Sequence, residues 1–229
     1  MDNFVSGFQD AIQLIISLDP EFFEIVRLSM VVSLTATFLA AIVAIPFGTW
    51  LGIKDFPGKR LLVRIIYTLM SMPPVVIGLV LFLLFLRNGP LGEFRLNFTA
   101  TAMIIAQFVL VTPIITGVVF NGTKERGPDI QALARTMGAS PTQTVWLLIK
   151  ELRINILSAV VTGYGRAMSE VGAVMVVGGN IKGHTRIMTT TIAMLRNMGE
   201  YSLAIATGIV LLLISFLINS LLYHWQQER

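Results

Sequence analysis

Long apolar runs separated by short polar links make up this sequence from one end to the other. Five of the runs reach the roughly 20 apolar residues that a helix needs to cross a membrane. They cover approximately 28–52, 61–86, 99–120, 155–178 and 201–223. Because only helices and closed barrels can span lipid, the pattern predicts an all-α polytopic membrane protein with about five transmembrane helices. We expect residues 1–229 to form one transmembrane domain.

The first predicted span is preceded by two shorter helical segments. Residues 4–18 carry apolar side chains at helical spacing, but the segment is short and mixed, which indicates an interfacial helix. A sixth crossing by this segment is the alternative. Asp19 and Pro20 then form a helix start. A helix over 20–52 would measure about 50 Å against roughly 30 Å of hydrocarbon, so we predict an elbow helix that turns into the membrane near Ser29.

The overall composition supports a membrane environment. Charged residues are 13% of the chain, hydrophobic residues are 55%, and the mean hydropathy is +0.77. A soluble domain carries about 25% charged residues, so this chain is too poor in charge to cover a compact surface in water. The chain has no cysteine, which excludes disulfides, thiolate metal sites, iron–sulfur clusters and a catalytic thiol.

The distribution of basic residues predicts the orientation. A net charge of +4 could indicate nucleic-acid binding, but in a membrane protein basic residues more often mark cytoplasmic loops, so we expect no nucleic-acid partner. The links at 53–60 and 121–154, with Arg64 and Arg229, hold ten lysines and arginines, whereas the opposite side holds six. The positive-inside rule therefore places these links and the C-terminus in the cytoplasm. The N-terminus and the loops at 87–98 and 179–200 then face outward.

Helix-breaking residues fall inside three of the predicted spans. Pro73 and Pro74 lie near the middle of the second span, Pro113 lies near the middle of the third, and the fourth is rich in glycine. Each proline removes a backbone donor and frees a carbonyl about one turn earlier, and lipid cannot satisfy that carbonyl. Broken helices at these positions indicate a translocation path. Kinked packing is the alternative, because glycine and proline are common in membrane helices.

Two charged residues of the fourth span favour the path. Arg166 and Glu170 are four residues apart, so on a helix they share a face and can form an ion pair. Charges inside hydrocarbon are costly and generally face a bundle interior or an aqueous cavity. We predict that Pro73, Pro113, Arg166 and Glu170 line or control the pathway, with a purely structural ion pair as the alternative.

The longest polar link, 121–154, has the pattern of a docking element. Pro128 predicts the start of a short helix, and Gly138 predicts its end. Ser140 and Gln143 have the capping-box spacing that starts a second helix. A helix of this kind suits a groove on a partner protein, and a surface helix with no partner is the alternative. The apolar stripe of the first helix consists of Ile130, Leu133, Ala134 and Met137.

Part of this link resembles a known family motif. Ala132, Leu133, Ala134 and Gly138 are similar to the EAA loop of bacterial and archaeal ABC importer permeases, although Ala132 stands where that motif usually has Glu. The resemblance extends over approximately 25–225, and residues 165–190 look like the tungstate-type branch of the oxyanion permeases. The ATPase-coupling residues that the resemblance implies are Gln131, Ala132, Leu133, Ala134, Arg135, Thr136, Met137 and Gly138.

The resemblance also implies the partners of this chain. A complete importer of this family has two permease chains, two cytoplasmic ATPase subunits and an external substrate-binding protein, in the inner membrane of a prokaryotic cell. ATP and Mg would bind to the ATPase, so we expect this chain to be no enzyme and to need no cofactor. Residues 117–124 lack the order of a phosphate-binding loop. ATP-driven movement of the coupling helix would switch the permease between inward-facing and outward-facing states.

Tungstate is the cargo that the resemblance implies first, with molybdate, sulfate or another small solute as alternatives. A dianion inside hydrocarbon needs compensating positive charge, to which Arg166 could contribute. Lys182, His184 and Arg186 in the outward loop could attract the anion or contact the binding protein, unless this is an ordinary solvated loop. His184 and His224 are too isolated to predict a metal site. A self-contained channel or secondary carrier is the rival function.

Overall fold

The computed structural model describes residues 2–17 and 19–227, and every regular element in these ranges is helical. A short 3₁₀ turn covers Gly92–Phe94. The predicted all-α fold is therefore confirmed for the part of the chain that is described. Leu18 of the predicted interfacial segment and Arg229 of the predicted cytoplasmic terminus lie outside it. The α-helices are α1 (Asp2–Ile16), α2 (Pro20–Ile53), α3 (Lys59–Met70), α4 (Pro74–Leu84), α5 (Ala100–Thr136), α6 (Pro141–Glu151), α7 (Arg153–Met168), α8 (Gly172–Gly178), α9 (Met188–Met198) and α10 (Tyr201–Gln227).

Three of the described helices are long and apolar enough to cross a membrane by themselves. They are α2, α5 and α10, and they contain the first, third and fifth predicted spans. The second predicted span consists of α3 and α4, which meet at an angle of 97° and make a fourth crossing only if the bent pair counts as one. The fourth predicted span is divided between α7 and α8. Two of the five predicted runs are therefore each divided between two helices, where the sequence carries the Pro73–Pro74 pair and a glycine-rich stretch.

The helix α2 begins where the sequence predicts but does not turn where the sequence predicts. The Asp19 carboxylate accepts hydrogen bonds from the backbone N–H groups of Glu21 and Phe22, which caps the helix. The chain then continues as one helix through Ser29 to Ile53, so the predicted elbow at Ser29 is wrong. Ser29 is buried, and its Oγ accepts a hydrogen bond from the Met188 N–H at 2.9 Å. Ser29, at which the elbow was predicted, therefore anchors α9 to α2.

The centre of the fold is the parallel pair of α2 and α5. A Cβ on Gly48 would lie 2.9 Å from the Thr116 carbonyl oxygen, and a Cβ on Gly52 would lie 2.6 Å from the Thr123 Cβ. Gly48 and Gly52 lie four residues apart, the spacing that permits close packing of membrane helices. Farther along the same pair, Gly127 lies beside Ile53. Links 53–60 and 121–154 therefore share one end of the bundle, which we call the coupling end.

Two prolines inside α5 do not interrupt it. The helix runs from Ala100 to Thr136 through Pro113 and Pro128, so the predicted break at Pro113 and the predicted new helix at Pro128 are both wrong. Pro113 is buried between neighbouring helices that hold α5 on both sides. Tertiary packing of this kind compensates for the one backbone hydrogen bond that a proline removes.

The N-terminal helix α1 packs against the beginning of α10. Asp10 accepts a short hydrogen bond from the Ser202 hydroxyl. A Cβ on Gly7 would lie 2.7 Å from the Ile205 Cγ2, so the two helices approach closely there. At 15 residues, α1 is shorter than a membrane span. Its placement in the interface stays a prediction.

Candidate translocation and coupling sites

The first break lies between α3 and α4. Pro74 begins α4 and cannot donate a hydrogen bond to the preceding turn, while Pro73 takes an extended conformation at φ −62° and ψ 126°. Ser71 and Met72 therefore close the end of α3 with i→i−3 hydrogen bonds to Thr68 and Leu69. The prediction that the Pro73–Pro74 pair interrupts its span is confirmed.

The second break, between α7 and α8, contains the buried acid. Glu170 lies just beyond α7, with its side chain only 5% exposed, and its Oε1 accepts a hydrogen bond from the Ala173 N–H at 3.0 Å. Its Oε2 lies 3.8 Å from the Arg166 guanidinium, so the predicted ion pair forms, although the acid is not on the helix. Thr189 of α9 donates to the Glu170 carbonyl. The carboxylate thus organises the break while it neutralises the arginine.

The two breaks are neighbours in space. A Cβ on Gly172, at the start of α8, would lie 2.7 Å from the Val75 side chain at the start of α4. One turn farther along, a Cβ on Gly78 would lie 2.8 Å from the Ala173 Cα. Glycine at both positions lets the two short helices touch along their backbones. The residues predicted from two separate spans therefore belong to one region, in which non-helical backbone is concentrated.

Helix α5 connects this region to the centre of the fold. Gln107 is fully buried, and its side-chain amide donates to the Ala167 carbonyl at 3.0 Å, next to the Arg166–Glu170 pair. Among the described residues, the Gln107 Oε1 and the Arg166 Nε are buried without a hydrogen-bond partner. Pro113 lies farther along α5 and makes no polar contact with the pair. Buried polar atoms that lack a hydrogen-bond partner are more compatible with a nearby hydrated ion than with lipid chains.

The exposed wall beside the first break is polar. Tyr67, Thr68 and Ser71 lie at the end of α3 and, with Met72 and Pro73, line an open cavity of about 630 Å³. Sequence reasoning missed these hydroxyls, although their spacing along one face of α3 was a usable signal. Thr162 on α7 and Ser169, just beyond its end, are exposed on either side of Arg166 along the chain. Each of these hydroxyls donates within the chain, and its oxygen stays accessible to a pathway or a protein contact.

The coupling end has the predicted turn but a different apolar surface. Gly138 has a φ of +72°, and the Ala139 N–H donates to the Ala134 carbonyl, which closes α5 with a Schellman motif. The Ser140 and Gln143 capping box that starts α6 is also present. Gly138 therefore ends the helix as predicted, and the capping box starts the next helix within the same link.

The predicted apolar stripe of this link is divided between the core and the surface. Ala134 is buried and Ile130 packs against the core, whereas Leu133 and Met137 are 59% and 76% exposed. Trp146 of α6, which sequence reasoning missed, is 68% exposed on the same end. Gln131 is partly buried, and Ala132, Arg135 and Thr136 are exposed. The link therefore presents large apolar side chains in a polar surrounding, as a partner-binding surface does.

The predicted outward loop is partly neutralised by α2. The Lys182 ammonium lies 2.7 Å from a carboxylate oxygen of Glu21, and Arg186 lies 3.9 Å from the other oxygen. His184 is exposed. Lys182 and Arg186 are therefore engaged in tying the loop to the start of α2, which weakens their predicted attraction for an anion. In the described residues, no group of histidines and acids could hold a metal ion.

Comparison with known proteins agrees with this architecture. Residues 44–228 match the family described as binding-protein-dependent transport system inner membrane component. The tungstate uptake system permease protein TupB of Peptoclostridium acidaminophilum is 50% identical over 228 residues, which cover 100% of both chains. TupB of Campylobacter jejuni is 36% identical over 96% of this chain and 92% of its own. A probable anion ABC transporter permease protein of Haloferax volcanii is 37% identical over 86% of this chain and 88% of its own.

These matches bear out the resemblance that rested on the coupling link and on residues 165–190. The family match covers α5, the coupling link and both halves of the α7–α8 region. The full-length match also includes α1, which precedes the family region. The chain belongs to the family of binding-protein-dependent transport system inner membrane components, the permease subunits of ABC transporters.

Proposed function

We propose that this chain is the membrane-spanning subunit of an ATP-driven importer for tungstate. Two copies would enclose the pathway, a separate ATPase dimer would bind ATP and Mg at the coupling end, and an external protein would deliver the anion. The observation that carries the cargo assignment is the 50% identity, over the whole of both chains, to a tungstate uptake permease. The coupling end would face the cytoplasm, because links 53–60 and 121–154 hold most of the basic loop residues.

Two parts of the chain would have separate roles, one in binding the ATPase and one in passing the anion. The surface formed by Leu133, Met137 and Trp146 would pack in a groove of the ATPase, since each of these side chains is large, apolar and exposed. At the adjoining α4 and α8, broken helices and the Arg166–Glu170 pair would line the passage. Residues 131–138 would couple the ATPase-binding surface to the passage, because they lie at the end of the same helix that carries Gln107.

The homodimer is supported by the polar wall of α3 and α7. Tyr67, Ser71, Thr162 and Ser169 are exposed in a single chain. Each donates its hydroxyl hydrogen within the chain, and a facing chain would bond to the hydroxyl oxygens that remain accessible. A second copy facing this wall would cover it and leave a hydrated path between the two chains. The pathway would then be built from the same residues of both protomers.

Uptake by cells provides the test of cargo. In cells that lack their own high-affinity tungstate uptake, the chain, its ATPase and its binding protein should together restore tungstate accumulation. A tenfold excess of molybdate or sulfate should reduce that accumulation only weakly. Unchanged tungstate uptake after deletion of this chain would contradict the assignment, and complete competition by sulfate or molybdate would transfer it to that anion.

A second experiment separates an ABC importer from a self-contained carrier. Reconstituted vesicles that contain the chain without its ATPase should transport no tungstate, whereas vesicles with the ATPase should transport it only when ATP is present. Transport by the chain alone, driven by an ion gradient, would favour the secondary-carrier alternative.

A further inference from the structure

A basic cavity opens at the coupling end, away from the Arg166–Glu170 region. It has a volume of about 740 Å³ and lies between the 53–60 link, α3 and α5. This volume falls within the range of about 300–1,000 Å³ that is typical of ligand sites. Its floor is aromatic and apolar, formed by Phe56, Val63 and Phe120. The cavity is therefore built by three separate parts of the chain.

The charge of the cavity wall is strongly positive. Lys59, Arg60, Arg64 and Lys124 line it, and the acid that lines it is Asp55. Asp55 pairs with Lys59 at 3.0 Å. In the described part of the chain, the other three cations have no carboxylate within ion-pair distance. An uncompensated cluster on an apolar floor attracts an anion, because the low dielectric of the floor strengthens the local field.

The cavity is continuous with the polar wall below the first helix break. Tyr67 lines both this cavity and the smaller cavity beside Ser71 and Pro73. Its hydroxyl donates to Asn121 of α5 at 2.6 Å, which fixes the ring where the two cavities meet. Tyr67 therefore places the basic cluster next to the cavity beside the first break. A lipid at the membrane surface reaches the same cluster along the exposed side chains of Leu61 and Ile65.

We propose that this cavity is a binding site for a tetrahedral oxyanion group at the cytoplasmic surface of the permease. Arg60 and Arg64 are one turn apart on α3 and Lys124 faces them from α5, so donors approach the site from two helices. The shared ligand chemistry has two sources, a free oxyanion released from the pathway and the phosphate of an anionic lipid. The cytoplasmic placement rests on the proposed function, whereas the anion chemistry rests on the cavity alone.

The test compares two charge-matched double variants of the permease–ATPase complex. Arg64→Gln with Lys124→Gln removes two unpaired cations of the cavity. Arg87→Gln with Arg196→Gln removes two exposed cations elsewhere and serves as the control. One arm measures tungstate binding by equilibrium dialysis in neutral detergent, without the binding protein. The other arm measures phosphatidylglycerol retained from nanodiscs by native mass spectrometry, against nanodiscs that contain phosphatidylcholine alone.

The cavity variant should bind one of the two probes at least fivefold more weakly than both the wild type and the control variant. Loss in the dialysis arm identifies a free oxyanion, and loss in the lipid arm identifies a headgroup. Equal binding of both probes by the cavity variant and the control, or no binding by the wild type, would overturn the proposal. Tungstate uptake by cells is measured separately, so a failure of the cargo assignment is distinguishable from a failure of this site.

Discussion

The Glu170 side chain makes two interactions at once, a hydrogen bond to the backbone of α8 and an ion pair with Arg166. It is buried, it caps the first turn of α8 through the Ala173 N–H, and it faces Arg166 at 3.8 Å. The arginine is 39% exposed, so one partner of the pair touches the open side of the fold while the other holds the backbone. A charge in this position needs its partner, because a carboxylate left alone at membrane depth is expensive.

Removing the arginine should therefore impair transport. Loss of one partner of a buried ion pair costs about 3–5 kcal/mol, and the partial exposure of Arg166 lowers that figure. For Arg166→Ala we expect uptake to fall by about tenfold or more, which corresponds to about 1.4 kcal/mol. Lys182→Ala is the comparison, since it also removes one cation that is paired with an acid.

Tungstate uptake per molecule of permease in the membrane is the measurement for both variants. Arg166→Lys should retain more activity than Arg166→Ala, because it keeps the charge beside Glu170. Equal uptake by Arg166→Ala and Lys182→Ala would remove Arg166 from the pathway.

The residue pattern predicted this pair but not its surroundings. The i,i+4 spacing of Arg166 and Glu170 predicted the pair, although Glu170 lies beyond the end of α7 and is held there by the Ala173 N–H. The hydrogen bonds of Gln107 and Thr189 to the backbone around them join residues far apart in sequence, and no local pattern predicts such contacts. The pairing of Lys182 and Arg186 with Glu21 could not be predicted from the sequence for the same reason.

At the scale of the elements, the prolines show what sequence alone can decide. The adjacent Pro73 and Pro74 break their span, because the second ring removes a further donor and the first is held in an extended conformation. Isolated Pro113 and Pro128 remain inside α5. A single proline therefore does not by itself end this helix, whether it is buried, as Pro113 is, or exposed, as Pro128 is. The apolar pattern predicted the runs and the proline pair predicted one of their breaks, whereas only the structure shows which isolated prolines a helix accommodates.

The turn between α5 and α6 provides a test of coupling. Gly138 and Gly183 have φ values of +72° and +73°, and a Cβ at either position would meet no other atom within 4 Å. Valine should cost at least about 1–2 kcal/mol of backbone strain at each site. Gly138→Val should reduce ATPase association and uptake, whereas Gly183→Val should show the same strain with association intact.

Co-purification of the ATPase with each variant, at equal membrane insertion, is the measurement. Wild-type association and transport in Gly138→Val would contradict the assignment of residues 131–138 as the coupling element.

The contact between α2 and α5 can be tested through stability. A Cβ on Gly48 would crowd the Thr116 carbonyl, and overpacking of this kind costs about 1–3 kcal/mol, so Gly48→Ala should lower the melting temperature in detergent. Gly165 in α7 has open space for a Cβ, and Gly165→Ala should be neutral or stabilising by up to about 1 kcal/mol. An unchanged melting temperature for Gly48→Ala, measured beside Gly165→Ala, would mean that the two helices can separate without cost.

At the scale of the whole molecule, the order and direction of the helices followed from the sequence. Apolar runs and basic links predicted that 53–60 and 121–154 share one end, and the contacts of Gly52 and Gly127 place them there. The 97° angle between α3 and α4 and the meeting of the two breaks were not predictable. The meeting of the two breaks arises from backbone contact between α4 and α8, which have no periodic signature in common.

The orientation of the molecule in the membrane can be measured by labelling. The chain contains no cysteine, so Thr142→Cys and His184→Cys each create a unique thiol on an exposed residue. A membrane-impermeant maleimide applied to intact cells should label His184→Cys and should label Thr142→Cys only after the cells are opened. Labelling of Thr142→Cys in intact cells would reverse the orientation and place the coupling end outside.

The unbroken course of α5 has a mechanical consequence. Its 37 residues extend over about 55 Å, and tight contacts of Thr116 with Gly48 and of Thr123 with Gly52 hold its middle against α2. Met137 lies about 30 Å beyond Thr116, and Gln107 lies about 14 Å from Thr116 on the other side. Under the proposed function, a displacement of Met137 by the ATPase would travel along this one helix to the backbone of Ala167, to which Gln107 donates.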